Sequence, residues 1–187
     1  MRQALNIPNS LTLSRIFLLP VLAILFYIHY NTLRLYVFVF CCATDFLDGY
    51  LARTCKQTTR LGQILDPISD KALVVTTILF VTGFDMISHT SLIPAGIILC
   101  REVMVSEIRS LVISGSDEFA TINIAKWKTA VQMLSLSLIL AYPTINNAEI
   151  AGYLHLIGEI LLWLSAVIAV VSGVIYCSKH MDLIREK

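Results

Sequence analysis

The sequence predicts an all-α fold, and more specifically a polytopic membrane protein with six transmembrane helices. The composition is strongly apolar, because 57% of the 187 residues are hydrophobic and the mean hydropathy is +0.77. Charged residues make up 14% of the chain, against about 25% in an average soluble domain. Six apolar segments also approach the roughly 20 residues that a helix needs to cross about 30 Å of hydrocarbon.

Short polar or turn-forming links separate the predicted spans. The first span ends at His-Tyr-Asn-Thr around residue 30, and the second ends in the basic stretch that precedes the third. The later links are Asp85–Ser91, Gly115–Asn123 and Pro143–Glu149. Segments of this length between such links are typical of transmembrane helices. In chain order the predicted spans are Leu11–Tyr30, Leu33–Arg53, Gly62–Phe84, Leu92–Ser114, Ile124–Tyr142 and Ala151–Cys177.

Lys and Arg are distributed unevenly between the two sides of the predicted bundle. The side away from the N-terminus carries only Arg34, so the positive-inside rule predicts that both termini are cytoplasmic. The N-terminus has no transit-peptide pattern, which favours a bacterial inner membrane. We expect one integral membrane domain over residues 1–187, with an interfacial segment over residues 1–10, spans over about 11–177 and a polar tail. The cations on the N-terminal side are Arg2, Arg53, Lys56, Arg60, Lys126, Lys128, Lys179, Arg185 and Lys187.

Four aspartates are concentrated where the second predicted span meets the third. The first two are three residues apart and the last two are four apart, so each pair lies on one helical face together with small residues. Carboxylates at membrane depth are costly unless they are compensated. Two facing acidic rows would form an oxygen-rich site for hard divalent cations beside a phosphate-bearing ligand. The full pattern is Asp45-x2-Asp48-Gly49-x2-Ala52-Arg53-x8-Gly62-x3-Asp66-x3-Asp70.

The acidic cluster admits two other interpretations. The aspartates could form a salt-bridge network that Arg53 and Lys71 neutralise, or they could line the path of a divalent-cation carrier. A carrier is disfavoured because a cation path needs no face of small residues and is repelled by an adjacent arginine. A nucleic-acid partner has no support, since no basic run with interleaved aromatic residues occurs. The five cysteines form no CxxC pair, which is typical of apolar packing residues.

The nine fixed positions of the aspartate pattern resemble the signature of the CDP-alcohol phosphatidyltransferase family. The resemblance implies a six-helix membrane enzyme that transfers a phosphatidyl group from CDP-diacylglycerol to an alcohol and releases CMP. It also implies two Mg²⁺ or Mn²⁺ ions as cofactor, contact with membrane lipid, and a homodimer. In this resemblance the metal ligands are Asp45, Asp48, Asp66 and Asp70, and Asp70 is also the catalytic general base.

Six residues are expected to bind CDP-diacylglycerol. Gly49 and Ala52 have little side-chain bulk, so a nucleotide can approach the helix backbone closely. Arg53 suits a bidentate contact with phosphate. The resemblance adds Thr59 in the link between the second and third spans, and it adds Asn9 and Thr12 in an N-terminal nucleotide-contacting element.

A second cluster of charge bears on the acceptor alcohol. Four cations on the fourth and fifth spans imply an additional anion, such as an acceptor phosphate. The alternative is that these side chains extend to the cytoplasmic edge, with Glu102 and Glu107 as structural partners. The segments Arg101–Arg109, Lys126–Met133 and Asn6–Arg15 resemble the bacterial branch of the family that uses glycerol 3-phosphate, while serine, inositol phosphate or phosphatidylglycerol remain alternative acceptors. The predicted phosphate-binding residues are Arg101, Arg109, Lys126 and Lys128.

Overall fold

A computed structural model describes residues 7–55, 60–112 and 123–185. Throughout these ranges the regular structure is helical, with six α helices and two short 3₁₀ turns. The 3₁₀ turns are His89–Ser91 and Tyr142–Thr144. The helices are α1 (Ile7–Tyr27), α2 (Asn31–Cys55), α3 (Arg60–Gly83), α4 (Leu92–Val112), α5 (Asn123–Ala141) and α6 (Ala148–Arg185).

The helix order follows the six predicted segments, with two differences at the ends of the chain. α1 begins at Ile7, within the segment expected to be interfacial, and Pro8 occupies its first turn. Proline is well tolerated there because the first amides of a helix have no intrahelical partner. α6 continues through the predicted polar tail as far as Arg185. The polar tail therefore extends the last helix.

Two helices end in tight left-handed turns at the same end of the bundle. After α1, His29 has a φ of 58°, and after α3, Asp85 has a φ of 51°. In each case the next amide bonds back to a carbonyl five residues earlier, as Tyr30 N–H does to Leu25 O. Such caps satisfy carbonyls that the helix leaves open. The turns let each following segment reverse direction sharply.

The helices pack as two groups of three. α1 packs against both α2 and α3, while α6 packs against both α4 and α5. Contacts of α2 and α3 with α5 join the two groups. The buried apolar side chains form one core, which includes Leu22, Phe26, Phe38, Leu73, Ile78, Val81, Ile98, Leu136, Ile139, Leu140 and Leu162.

The outer surface is unusually apolar. Several helices expose large apolar side chains. Those on α6 include Tyr153, Ile160, Trp163 and Val174. Within the described residues, two helical stretches are long and apolar enough by themselves to cross a membrane, Ser10–Tyr27 and Ala148–Ile175. An apolar surface of this extent is typical of a membrane-associated protein.

Candidate active site

A buried arginine connects the first and last aspartates of the sequence pattern. Arg15 of α1 is 1% exposed, and its Nη1 donates a hydrogen bond to Asp70 Oδ1 of α3 at 2.6 Å. The same nitrogen forms an ion pair with Asp45 Oδ1 of α2. Three helices thus contribute one charged side chain each to a common point. The predicted meeting of the two acidic helices is confirmed for Asp45 and Asp70.

The two carboxylates are close enough to share a ligand. Both Oδ1 atoms lie within 2.6 Å of one nitrogen, so they are at most about 5 Å apart. Ligand oxygens lie about 2.0–2.6 Å from a bound Mg²⁺ or Ca²⁺ ion. One divalent ion can therefore bridge carboxylates at this separation. Asp45 and Asp70 are also partly exposed, with 27% and 40% of their side chains accessible, so the cluster is open to a ligand.

The position of the cluster along the helices is well defined. Asp45 lies fourteen residues after α2 begins at Asn31, and Asp70 lies thirteen residues before α3 ends at Gly83. At a rise of 1.5 Å per residue, both lie about 20 Å from the end of the bundle that carries the left-handed turns. The cluster is consequently nearer the opposite end, where α2 ends and α3 begins.

The donor chemistry of the cluster suits a hard divalent cation. Carboxylate oxygens are the ligands such ions prefer, and the pair on α2 and α3 supplies two. Among the described side chains, no group of three or more potential metal ligands comes together. The other two predicted metal ligands, Asp48 and Asp66, lie in α2 and α3, but their side chains are outside the described residues. The carboxylates of Asp45 and Asp70 fit a metal site, in which they would supply two of the four predicted ligands.

Most of the predicted CDP-diacylglycerol contacts fall outside the described part of the chain. Thr12 is the exception, since it is completely buried on α1 one turn before Arg15. Its predicted contact with the nucleotide stays a prediction. Thr59 lies outside the described residues, as do the side chains of Asn9, Ala52 and Arg53. Gly49 lies within α2.

A second buried charge cluster joins two of the predicted acceptor-binding residues. Lys128 of α5 forms an ion pair with Glu102 Oε1 of α4. Arg101 Nη1 lies 3.6 Å from the same oxygen, and Arg101 Nη2 donates to Ser172 Oγ of α6 at 3.1 Å. One carboxylate therefore holds two cations together. The side chains of Arg109 and Lys126 lie outside the described residues.

The burial of Lys128 bears on the alternative in which these cations extend to the cytoplasmic edge. Its side chain is 4% exposed, so it does not extend to an aqueous edge. Glu102 is its structural partner, as that alternative also proposed. One turn along α5, Gln132 is buried and its Nε2 has no hydrogen-bond partner in the described part of the protein. Such a donor could be satisfied by an oxygen of a bound ligand.

Arg15 is the site residue that sequence reasoning missed. It lies in the Asn6–Arg15 segment that resembles the family, but no role is predicted for it there. Arg53 and Lys71 are predicted partners of the aspartates only in the alternative that treats them as a salt-bridge network. Its signal in the sequence was an arginine inside the apolar run of the first span, one turn after Thr12. A charged residue at such a position is costly without a partner. An acidic partner on another helix is therefore expected for Arg15.

The chain is similar to known proteins over almost its full length. Residues 5–171 match the family described as CDP-alcohol phosphatidyltransferase. A Rickettsia felis protein named CDP-diacylglycerol–glycerol-3-phosphate 3-phosphatidyltransferase is 35% identical over 188 aligned positions, which cover 96% of this chain and 99% of that protein. Proteins with the same name from Haemophilus influenzae and Yersinia enterocolitica are 36% and 37% identical, over 91% and 88% of this chain. The matches cover the same shares of those two proteins.

Proposed function

The chain belongs to the CDP-alcohol phosphatidyltransferase family, and we propose that it transfers the phosphatidyl group of CDP-diacylglycerol to glycerol 3-phosphate. The products are phosphatidylglycerol phosphate and CMP. The family match confirms the resemblance predicted from the aspartate pattern. It also favours a transferase over the divalent-cation carrier.

The meeting of Asp45 and Asp70 is the observation that carries this proposal. These two residues are the first and last acids of a pattern that extends over 26 residues, yet their carboxylates share one arginine nitrogen. A diphosphate donor needs a site that neutralises charge on the leaving phosphate. An alcohol acceptor needs a base within hydrogen-bond reach. Two neighbouring carboxylates can serve both needs, one by holding a charge-neutralising cation and the other by acting as the base.

In the proposed reaction, the acceptor hydroxyl oxygen attacks the phosphorus of the phosphatidyl group. The bond from this phosphorus to the oxygen of CMP breaks, and CMP leaves with the electron pair. Asp70 accepts the hydroxyl proton at a carboxylate oxygen. Thr12 and Arg15, which lie on α1 beside the cluster, would help to orient the donor. Because Asp70 remains partly exposed, an acceptor can reach it.

The residues that would hold Mg²⁺ or Mn²⁺ are Asp45, Asp48, Asp66 and Asp70. When bound, two such ions would neutralise the donor diphosphate and stabilise the leaving phosphate. The close approach of the Asp45 and Asp70 oxygens supports this assignment. The sequence spacing supports the other two ligands, since each lies one turn from a carboxylate of the cluster.

The cluster around Glu102 supports an acceptor with a phosphate group. Arg101 and Lys128 bring two cations to a single carboxylate inside the bundle, and Gln132 adds a buried donor one turn away. A phosphate could bind there by sharing these cations with Glu102. Arg109 and Lys126 would extend the same site. The names of the relatives, which specify glycerol 3-phosphate, agree with this chemistry.

The proposed setting is a bacterial inner membrane, with all six helices spanning the bilayer and both termini in the cytoplasm. The distribution of Lys and Arg supports this topology. The carboxylate cluster would then lie toward the cytoplasmic side, where a water-soluble acceptor enters, while the lipid donor enters from the leaflet. A homodimer is proposed from the family resemblance.

CMP release by the purified protein tests the proposed function. CDP-diacylglycerol is supplied with Mg²⁺ or Mn²⁺ and with glycerol 3-phosphate, glycerol, serine, inositol phosphate or phosphatidylglycerol as acceptor. Glycerol 3-phosphate should release CMP fastest, and EDTA should abolish release. Faster release with serine or inositol phosphate would retain the family and overturn the acceptor.

A further inference from the structure

The charge balance around Arg15 differs from that of an ordinary ion pair. One guanidinium nitrogen serves two carboxylates from different helices, and the arginine is almost completely buried. Two carboxylates this close repel each other unless a positive charge lies between them. The sequence contains two further aspartates, Asp48 and Asp66, each one helical turn along the chain from a member of the cluster. Arg15 therefore lies where a counter-charge is most needed.

The oxygens bound by Arg15 are also those that a divalent cation would use. Nη1 contacts Oδ1 of Asp45 and Oδ1 of Asp70, which come from two different helices. Full coordination of a metal at these atoms would compete with the guanidinium for the same lone pairs. The arginine and the cation thus have equivalent electrostatic roles at this point.

We infer that Arg15 is a positioning residue, which holds Asp45 and Asp70 together and balances their charge until a divalent cation takes its place. This inference rests on the metal site in the proposed function. It accounts for a buried arginine in an otherwise uncharged helix. It also accounts for how α2 and α3 both pack against α1 although each brings a carboxylate to the same point.

Thermal unfolding of purified protein in detergent, with EDTA or with Mn²⁺, tests the inference. In EDTA, Arg15→Met should lower Tm by about 6–20 °C, because it leaves buried carboxylates without a counter-charge. Mn²⁺ should raise the Tm of this variant more than it raises the Tm of the wild type. The Tm of Arg15→Lys, which keeps the charge, should lie between those of the wild type and Arg15→Met in EDTA.

A double variant keeps the inference testable if Arg15→Met is too unstable to purify. Arg15→Met combined with Asp45→Asn removes one positive and one negative charge, so it should recover at least half of the lost Tm in EDTA. Arg34→Met provides a matched control. Arg34 is also a buried arginine, but its guanidinium lies over the Phe26 ring at 4.4 Å and it hydrogen-bonds to Asn31. Its loss should lower Tm equally with and without Mn²⁺.

The outcomes separate this inference from the metal site on which it rests. If the Asp45→Asn change gives no recovery, Arg15 has only a packing role. The same conclusion follows if electron paramagnetic resonance shows that Mn²⁺ binds, yet Mn²⁺ stabilises Arg15→Met no more than the wild type. If recovery occurs but electron paramagnetic resonance detects no Mn²⁺ binding to the wild type, the counter-charge role is supported. In that case the proposed metal site is overturned.

Discussion

At the residue scale, the described part of the molecule contains two clusters of buried charge. Asp45 and Asp70 share Arg15, whereas Glu102 holds both Lys128 and Arg101. Buried charges of this kind are costly unless paired, so they mark functional sites in membrane proteins. The first cluster is suited to the donor diphosphate and the chemistry. The second is suited to a phosphate on the acceptor.

Asp70 should be essential for the chemical step. Asp70→Asn keeps the shape of the side chain but cannot accept the acceptor proton, so kcat should fall by about 10²–10⁴-fold. Stopped assays of CMP release measure kcat, and binding of CDP-diacylglycerol is measured separately. Unchanged single-turnover chemistry together with lost donor binding would contradict the role of Asp70 as base.

Lys128 should contribute to acceptor binding, but the single substitution would leave Glu102 buried without its partner. We therefore predict the effect for the double variant Lys128→Met with Glu102→Gln, which removes both charges. The loss of a charge-assisted contact of about 1.5–3 kcal/mol corresponds to a KM for glycerol 3-phosphate that is roughly 10- to 150-fold higher. The KM for CDP-diacylglycerol should hardly change. An equal rise in both KM values would show that Lys128 and Glu102 stabilise the fold and do not bind the acceptor.

The sequence predicted these sites unequally, for a physical reason. Helical spacing predicted an acidic face on each of two helices, because residues three or four apart share a face. The short link between these helices predicted that the two faces meet. The partner Arg15 could not be derived in this way, since it comes from another helix and its contact depends on how α1 packs. The alternative of a salt-bridge network names Arg53 and Lys71, both of which lie close to the aspartates in sequence. Nearest neighbours along the chain are a poor guide to partners across helices.

At the element scale, close packing of α5 and α6 fixes the second group of helices. Ser135 Oγ of α5 donates to Gly158 O of α6 at 2.7 Å. A Cβ at Gly158 would lie 2.8 Å from Ile139 Cγ1 and 3.3 Å from Ile139 N. Glycine therefore allows the two backbones to approach, as small residues commonly do between membrane helices. This contact supports the helix that carries Lys128.

Gly158→Ala should destabilise the protein by about 1–3 kcal/mol, the usual cost of overpacking a filled contact. Gly152→Ala on the same helix is the control, since nothing lies within 4 Å of its added Cβ. The control should be neutral or slightly stabilising, because alanine favours helix more than glycine does. Thermal unfolding in detergent compares the two. Similar Tm values for both variants would show that the α5–α6 contact is not tightly packed.

The helices were predictable from hydropathy, although their ends were less so. Apolar length indicated six helices, because a span needs a fixed number of residues. It placed the start of α1 at Leu11, whereas the helix begins at Ile7. A polar N-terminal turn adds no hydrophobicity, so hydropathy cannot detect it. The same applies to the end of α6, where the helix continues through polar residues to Arg185.

At the scale of the whole molecule, three interhelical links gather at one end of the bundle. The His29 and Phe84 rings are 5.8 Å apart, and Ser88 Oγ donates to Glu159 Oε2 at 3.0 Å. His155 Nε2 lies 3.0 Å from Met86 O and its ring packs edge-on against a tyrosine of the third link. These contacts hold the three links together at the end of the bundle opposite the N-terminus. The carboxylate cluster lies toward the other end.

The proposed topology predicts which links are accessible from outside the cell. In a cysteine-free background, single cysteines at Thr90 or Asn146 should react with a membrane-impermeant thiol reagent added to intact bacteria. A cysteine at Lys187 should react only after the cells are lysed, because the positive-inside rule places it in the cytoplasm. Labelling in the opposite pattern would invert the bundle and place acceptor entry outside the cell.

Transfer of labelled acceptor into lipid is the most direct test of the central claim. Purified protein is incubated with CDP-diacylglycerol, Mg²⁺ or Mn²⁺, and glycerol 3-phosphate that carries ¹⁴C in its glycerol carbons. The proposed reaction predicts one molecule of labelled lipid for every molecule of CMP released. CMP release without labelled lipid would indicate hydrolysis of the donor, and it would contradict the assignment of this site to phosphatidyl transfer.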